Sequence, residues 1–234
     1  MGGAPSVTKV QLSQDQASLV KLILPLYYNE EPLTEEELAE AQKGWDRILN
    51  DTSPEYLKKK SSDSAFADEF PSCATWFFSV FYARLFDVHP AAKPMFRSGL
   101  KSQGKFLIQL MTLALTLVLK PDKLEKVMLN LAEKHNERGV KAIEYGIVGE
   151  VLFYSLRVTL GDMIFDSVLY FTWTKIMSRM LKIMVPSALA HELACGINQE
   201  QRLGDVHDSL KRRVEIKKNE GSMTTSTTAA STMP

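Results

Sequence analysis

Across residues 71–184 the apolar side chains recur every three or four positions, prolines cut the pattern into lengths, and alternation at period two is nowhere sustained. Residues 71–86 carry Trp76, Phe77, Val80, Phe81 and Leu85, and Pro90 and Pro94 mark a short turn-rich segment. Residues 100–119 are nearly all apolar and stop before Pro121. Residues 122–134 set Leu124, Val127, Met128 and Leu131 on one face. Residues 144–160 carry Ile147, Val148, Val151, Leu152 and Leu156, and residues 165–184 carry Val168, Leu169, Trp173, Ile176, Met180 and Ile183. Upstream, Thr34 is placed to cap a helix with Glu35–Glu37 in its first turn and Leu38, Ala41, Trp45 and Ile48 at helical spacing. The pattern predicts an all-α chain of six to eight helices packed through apolar stripes.

The flanks differ from this centre. Residues 1–10 read as disordered, and a helix is expected over 11–28, interrupted near Pro25. Residues 51–70 are polar and turn-rich and are expected to form a loop or a poorly ordered insert. After Pro186 the stripe weakens into one more polar helix, expected over 187–218 with a basic end, and the low-complexity residues 219–234 read as a disordered tail.

Composition narrows the function. The chain has 234 residues, 45% of them hydrophobic, which is enough for a core. Its 28 Lys and Arg balance its 28 Asp and Glu, so no global field draws it to nucleic acid. Two cysteines, Cys73 and Cys195, make neither a disulfide framework nor a four-thiolate metal site, as expected for a reducing, cytoplasmic setting. No secretory signal is visible, and the apolar run over 106–119 is too short for a hydrocarbon core of about 30 Å. Met1-Gly2-Gly3-Ala4-Pro5-Ser6 fits the N-myristoylation pattern, so weak membrane association through an acylated Gly2 stays open, although chance also accounts for it.

No phosphate loop, zinc-protease helix, nucleophile elbow or C-x-x-C is present. Of four histidines, His135 lies four residues after Leu131 and eleven after Leu124, so it continues the apolar stripe of its helix. By spacing alone it is either a core histidine bonded to a backbone carbonyl or a metal ligand.

Four segments occur in order: FYARLFDVHPAAKPMF, SQGKFL, LAEKHNERGV and EYGIVGEVLF. Together they resemble the globin family, most closely its flavohaemoglobin-like, single-domain branch. The stretch EELAEAQKGWDRI is similar to a first globin helix, with Trp45 as its buried tryptophan. The resemblance implies a three-on-three helical sandwich over residues 34–186 with 51–70 as an insert between its first and second helices. Residues 1–33 are expected to form a helical extension, and 187–234 to hold the polar helix and tail.

The resemblance also assigns residues. His135 matches the axial ligand of haem iron, and Lys134 a lysine beside it. Tyr82 matches a tyrosine above the iron. Pro90, eight residues on, matches the proline opening the third helix, and Phe96, fourteen on, a phenylalanine wedged against the haem face. Gln103 and Leu107, 32 and 28 residues before His135, match the distal polar position and the apolar distal wall. Tyr145, ten residues after His135, matches a proximal tyrosine. Val148 is either pocket wall or packing core. Two features depart from the flavohaemoglobin pattern: the link from Phe96 to Gln103 is shorter, and the proximal glutamate falls near Ala188, with Glu192 one turn later.

The implied cofactor is non-covalent haem b, because no C-x-x-C-H is present. The implied function is reversible binding of dioxygen and other diatomic gases, for transport, storage or sensing. A nitric oxide dioxygenase served by an external reductase is the alternative, and a non-haem helical interaction module is the second.

Overall fold

The computed structural model describes residues 21, 23, 26–96 and 99–196. Among them are eight α-helices, one 3₁₀ helix and no strand. The expected helix over 11–28 and the tail over 219–234 fall largely or wholly outside the described residues.

Helix α1 (Glu35–Leu49) starts where Thr34 accepts from the Glu37 N–H and the Glu37 carboxylate accepts from the Thr34 N–H, a reciprocal capping box. Its buried face is Leu38, Ala41, Trp45 and Ile48. Trp45 keys α1 to three partners. Its Nε1 donates to Thr112 Oγ1 at 2.9 Å, and its ring meets Phe77 and Trp173 at centroid distances of 5.2 and 6.2 Å.

The stretch 51–70, expected as a loop, is helical instead. Ser53 caps α2 (Pro54–Ser62), which opens on Pro54, and Asp63 caps α3 (Ser64–Glu69). Tyr56 is fully buried and donates its hydroxyl to the Phe70 carbonyl at 2.9 Å. Ser53 Oγ donates to the carbonyl of Thr159. Two side-chain caps and one inserted aromatic residue hold these short helices, while their remaining polar residues face solvent.

The next elements follow the sequence pattern closely. Helix α4 (Cys73–Val88) is capped by Ser72 and leads through His89 into the 3₁₀ turn Pro90–Met95. Helices α5 (Leu100–Leu117), α6 (Pro121–Glu137) and α7 (Glu144–Leu160) succeed it, and Gly161, at φ 80°, ends α7 in a conformation side chains disfavour. Helix α8 (Ser167–Ala194) is longer than the stripe predicted. It runs through Pro186, whose missing N–H leaves the Lys182 carbonyl without its usual donor, and absorbs the start of the polar helix expected after 186. Buried Val185, Ala188 and Leu189 continue the apolar face past the proline and keep the helix intact.

Helix α4 packs chiefly on α7, and α6 on α8, with α1 lying across α8, α4 and α7. The layers are α1, α5 and α6 against α4, α7 and α8. Gly104 sets how closely α5 approaches α4: a Cβ there would lie 2.6 Å from both Cδ atoms of the Phe78 ring. Among the described residues no helix is long and apolar enough to cross a membrane.

Candidate functional site

The two layers enclose a cavity of about 640 Å³ reached by α4, the 3₁₀ turn, α5, α6, α7 and α8. All seven side chains that the sequence reading singled out, Tyr82, Phe96, Gln103, Leu107, Lys134, His135 and Tyr145, line it, and so does Val148. They span 64 positions of sequence, from 82 to 145, and come together only because α4 and α5 fold over α6 and α7.

Tyr82 is buried in α4, where burial pushes its phenol up to about 12, so it stays an O–H donor at neutral pH. Phe96 closes the 3₁₀ turn and stands edge-to-face to the Tyr82 ring at 5.2 Å, with Phe86 at 5.5 Å behind it. Gln103 and Leu107 lie one turn apart on α5. Pro90 itself opens the 3₁₀ turn.

His135 occupies the last turn of α6. Its Nδ1 faces the Leu131 carbonyl at 2.7 Å, one turn back, which fixes the ring and commits that nitrogen as the donor. Burial holds the imidazole below its usual value, an effect opposed by the Leu131 bond and reinforced by the Arg138 charge. The ring is therefore neutral at pH 7, with Nε2 free of the backbone bond. Tyr145 packs against it at 5.8 Å between centroids. The Tyr145 hydroxyl is buried with no hydrogen-bond partner among the described residues, and burial, with the Glu144 and Glu192 charges, raises its phenol.

The proximal carboxylate of the flavohaemoglobin pattern is not at 188, which is a fully buried alanine. Glu192 is buried, and its Oε1 accepts from the Ala142 N–H at 2.6 Å, securing the turn before α7. That role was not legible in the sequence.

Two groups escaped the sequence reading. Met177 and Met184 join Met180 along α8 to line the cavity, at spacings of three and four. Their periodicity was visible, but which helix face meets a cavity and which meets solid core is a tertiary matter. The lining also includes the cations Lys105 and Arg138 beside Lys134, and no Asp or Glu among the described residues.

These residues fit a haem. Among the described residues no three His, Cys, Asp or Glu side chains cluster, so a metal held by His135 needs a cofactor bringing its own donors. One oriented neutral imidazole, aromatic and aliphatic walls, and cations without carboxylates in the lining suit a flat apolar macrocycle with acidic substituents. Fold and site together define an α-helical haem-pocket protein.

Residues 79–184 match the globin family, and this region of the chain is a globin domain. The chain is 33% identical over 95 residues to a flavohemoprotein of Rhizobium meliloti (strain 1021), an overlap of 38% of this chain and 23% of that protein. It is also 33% identical over 90 residues to a flavohemoprotein of Chromobacterium violaceum, covering 36% of this chain and 22% of the relative. The aligned region thus spans less than a quarter of the length of these relatives. The domain is a haem-binding globin.

Proposed function

We propose that this domain takes haem b without a covalent bond and reversibly binds dioxygen and other diatomic gases. The observation that carries the reading is the commitment of His135 Nδ1 to the Leu131 carbonyl on α6, which leaves Nε2 as the nitrogen that would hold haem iron. Haem iron, when bound, supplies the coordination position at which a diatomic gas is taken up. The protein supplies the rest. Tyr82 and Gln103, from α4 and α5, offer an O–H and an amide N–H toward a polarised gas, each worth about 1 kcal/mol or more where water is excluded. Phe96 and Leu107 keep water from the slot. Tyr145 buttresses the imidazole, and Lys134 offers a cation to the macrocycle's acidic edge.

A second reading is nitric oxide dioxygenation, in which an external reductase returns the electron spent as nitric oxide and dioxygen become nitrate. It is supported by the flavohemoprotein relatives and by the same pair of donors. Sustained nitric oxide consumption with a cellular reductase separates it from simple gas binding.

The test is the absorption spectrum of the purified chain in ferric, ferrous and carbon monoxide forms. A five-coordinate ferrous spectrum that shifts with carbon monoxide is expected, and His135→Gly should lose it until imidazole is added. Protein that stays colourless in excess haemin overturns the haem assignment. A six-coordinate ferrous spectrum without added ligand overturns the distal assignment.

A further inference from the structure

Residues 27–31 lie upstream of α1 and outside the globin region at 79–184, yet they are fastened to two helices that wall the cavity. Tyr27 is buried, and its ring meets Phe153 of α7 edge-to-face at 5.3 Å. The same ring lies on the α7 backbone at Gly149, where a Cβ would stand 3.0 Å from two ring carbons, so it seats this closely only over a glycine. Asn29 is clasped to α8. Its N–H donates to Ser178 Oγ at 2.9 Å, and its carbonyl accepts from the Ser178 hydroxyl at 2.8 Å and from Lys182 Nζ at 2.7 Å. Lys182 also stands over the Tyr28 ring at 4.6 Å, and Glu31 pairs with Lys175 at 3.4 Å.

This strap bears on α7 and α8 beside the faces that line the cavity. On α7, Val148 and Leu152 line it, and Gly149 and Phe153, each one position further on, receive Tyr27. On α8, Met177 and Leu181 line it, and Ser178 and Lys182, each one position further on, hold Asn29. Successive residues of a helix point about 100° apart, so the strap presses on both helices next to the pocket without entering it. Because α7 packs chiefly on α4 and α8 on α6, the strap is a direct tie between two helices held mainly by other partners. The wall they share includes Met177, Met180 and Met184, whose unbranched side chains adapt to the space they are given. The shape of that wall is therefore set more by helix spacing than by the side chains themselves.

We propose that Tyr27 and Asn29 are positioning residues for the haem pocket. They fix the spacing of α7 and α8, and with it how tightly Val148, Leu152 and the methionine wall close on the macrocycle. The Tyr27 ring is the wedge, and the Asn29 clasp on α8 keeps it seated. A close-packed interior transmits such a displacement, so a loosened strap reaches the pocket as a looser wall. The inference rests on haem binding and goes beyond it, by giving a segment that precedes α1 a part in holding the cofactor.

The experiment uses the full chain loaded with haem and follows three quantities: haem transfer to an excess of an apoglobin acceptor, carbon monoxide rebinding after flash photolysis, and the urea midpoint. Ser178→Ala with Lys182→Ala unfastens Asn29 and leaves every cavity-lining side chain in place. One hydrogen bond is worth about two- to twelvefold in an equilibrium, so this variant should release haem at least about threefold faster. Its carbon monoxide rebinding should change as well. Tyr27→Ala should act in the same direction and more strongly, whereas Tyr27→Phe, which keeps the ring over Gly149, should match wild type in both pocket readouts. Tyr56→Phe removes a hydrogen bond to Phe70 away from the cavity, and should lower the urea midpoint while leaving both pocket readouts unchanged. The inference is overturned if the Ser178→Ala, Lys182→Ala variant releases haem and rebinds carbon monoxide as wild type does. It is also overturned if Tyr56→Phe shifts the pocket readouts equally, or if Tyr27→Phe behaves as Tyr27→Ala does. A wild-type chain that takes up no haem overturns the haem assignment and this inference with it, a result distinct from indifferent variants of a loaded protein.

Discussion

Gly104→Ala tests whether close approach of α5 to α4 shapes the pocket. In isolation the change should help, because alanine is favoured over glycine in a helix by about 0.8–1 kcal/mol. In place, the new Cβ falls 2.6 Å from both Cδ atoms of Phe78, nearer still to Cγ, whereas carbon atoms rest at roughly 3.5–4.0 Å. The ring or the helix must therefore yield by about 1 Å, and such overpacking costs about 1–3 kcal/mol. Phe78 is half-buried, so the ring can take part of the strain and the net effect should be a destabilisation of about 0–2 kcal/mol. A double-mutant cycle with Phe78→Ala isolates the contact. Leucine would not serve, because its Cγ sits where the phenylalanine Cγ does. In the Phe78→Ala background Gly104→Ala should stabilise by about 1 kcal/mol, giving a coupling of about 1–3 kcal/mol in urea unfolding. A coupling below about 0.5 kcal/mol, with Gly104→Ala stabilising in both backgrounds, would refute the reasoning. Because Gln103 and Leu107 flank Gly104 on α5, the single variant should also change carbon monoxide rebinding, and the double variant should partly restore it.

Other consequences are open to direct measurement. Cys73 is fully buried, and burial, with the nearby Asp51 charge, pushes its thiol up to about 12, while Cys195 is exposed. A thiol reagent should label one cysteine in the native chain and both after unfolding; rapid labelling of both without denaturant would contradict the packing around α4. Tyr82, at about 12 when folded against an ordinary value near 10, holds a proton that the unfolded chain loses first. Its contribution is complete below about pH 10 and is lost as pH rises toward 12, so Tyr82→Phe should flatten the fall in urea midpoint between about pH 10 and about pH 12. Glu192→Ala removes a carboxylate from the Ala142 N–H, a charged hydrogen bond worth about 1.5–3 kcal/mol. Its thermal midpoint should drop by several degrees, at roughly 2–4 °C per kcal/mol, and an unchanged midpoint would show that the bond does not stabilise the fold.

Most helices could be read from the chain because helical periodicity is local. Residues 144–160 were expected as one helix and form one, and the Thr34 cap was visible in four consecutive residues. Local composition and tertiary partners disagree at two places. Residues 51–70 look like a loop because their surface is polar; Ser53, Asp63 and the buried Tyr56 make them two helices by engaging Thr159, Phe66 and Phe70. The stripe weakens in sequence at Pro186, yet the helix continues because Val185, Ala188 and Leu189 are buried.

The candidate site divides along the same line. The sequence by itself determined that His135 ends an apolar stripe, that Gln103 and Leu107 stand 32 and 28 residues before it and Phe96 fourteen after Tyr82, as the family resemblance expects, and that no covalent haem motif is present. Tertiary structure alone decided that Met177 and Met184 join the wall, that Glu192 serves Ala142, and that Nδ1 of His135 is spent on Leu131. The physical reason is that periodicity encodes which face of a helix avoids water, whereas what that face meets depends on how helices cross, and crossings are set by contacts such as Gly104 on Phe78 between residues far apart in the chain.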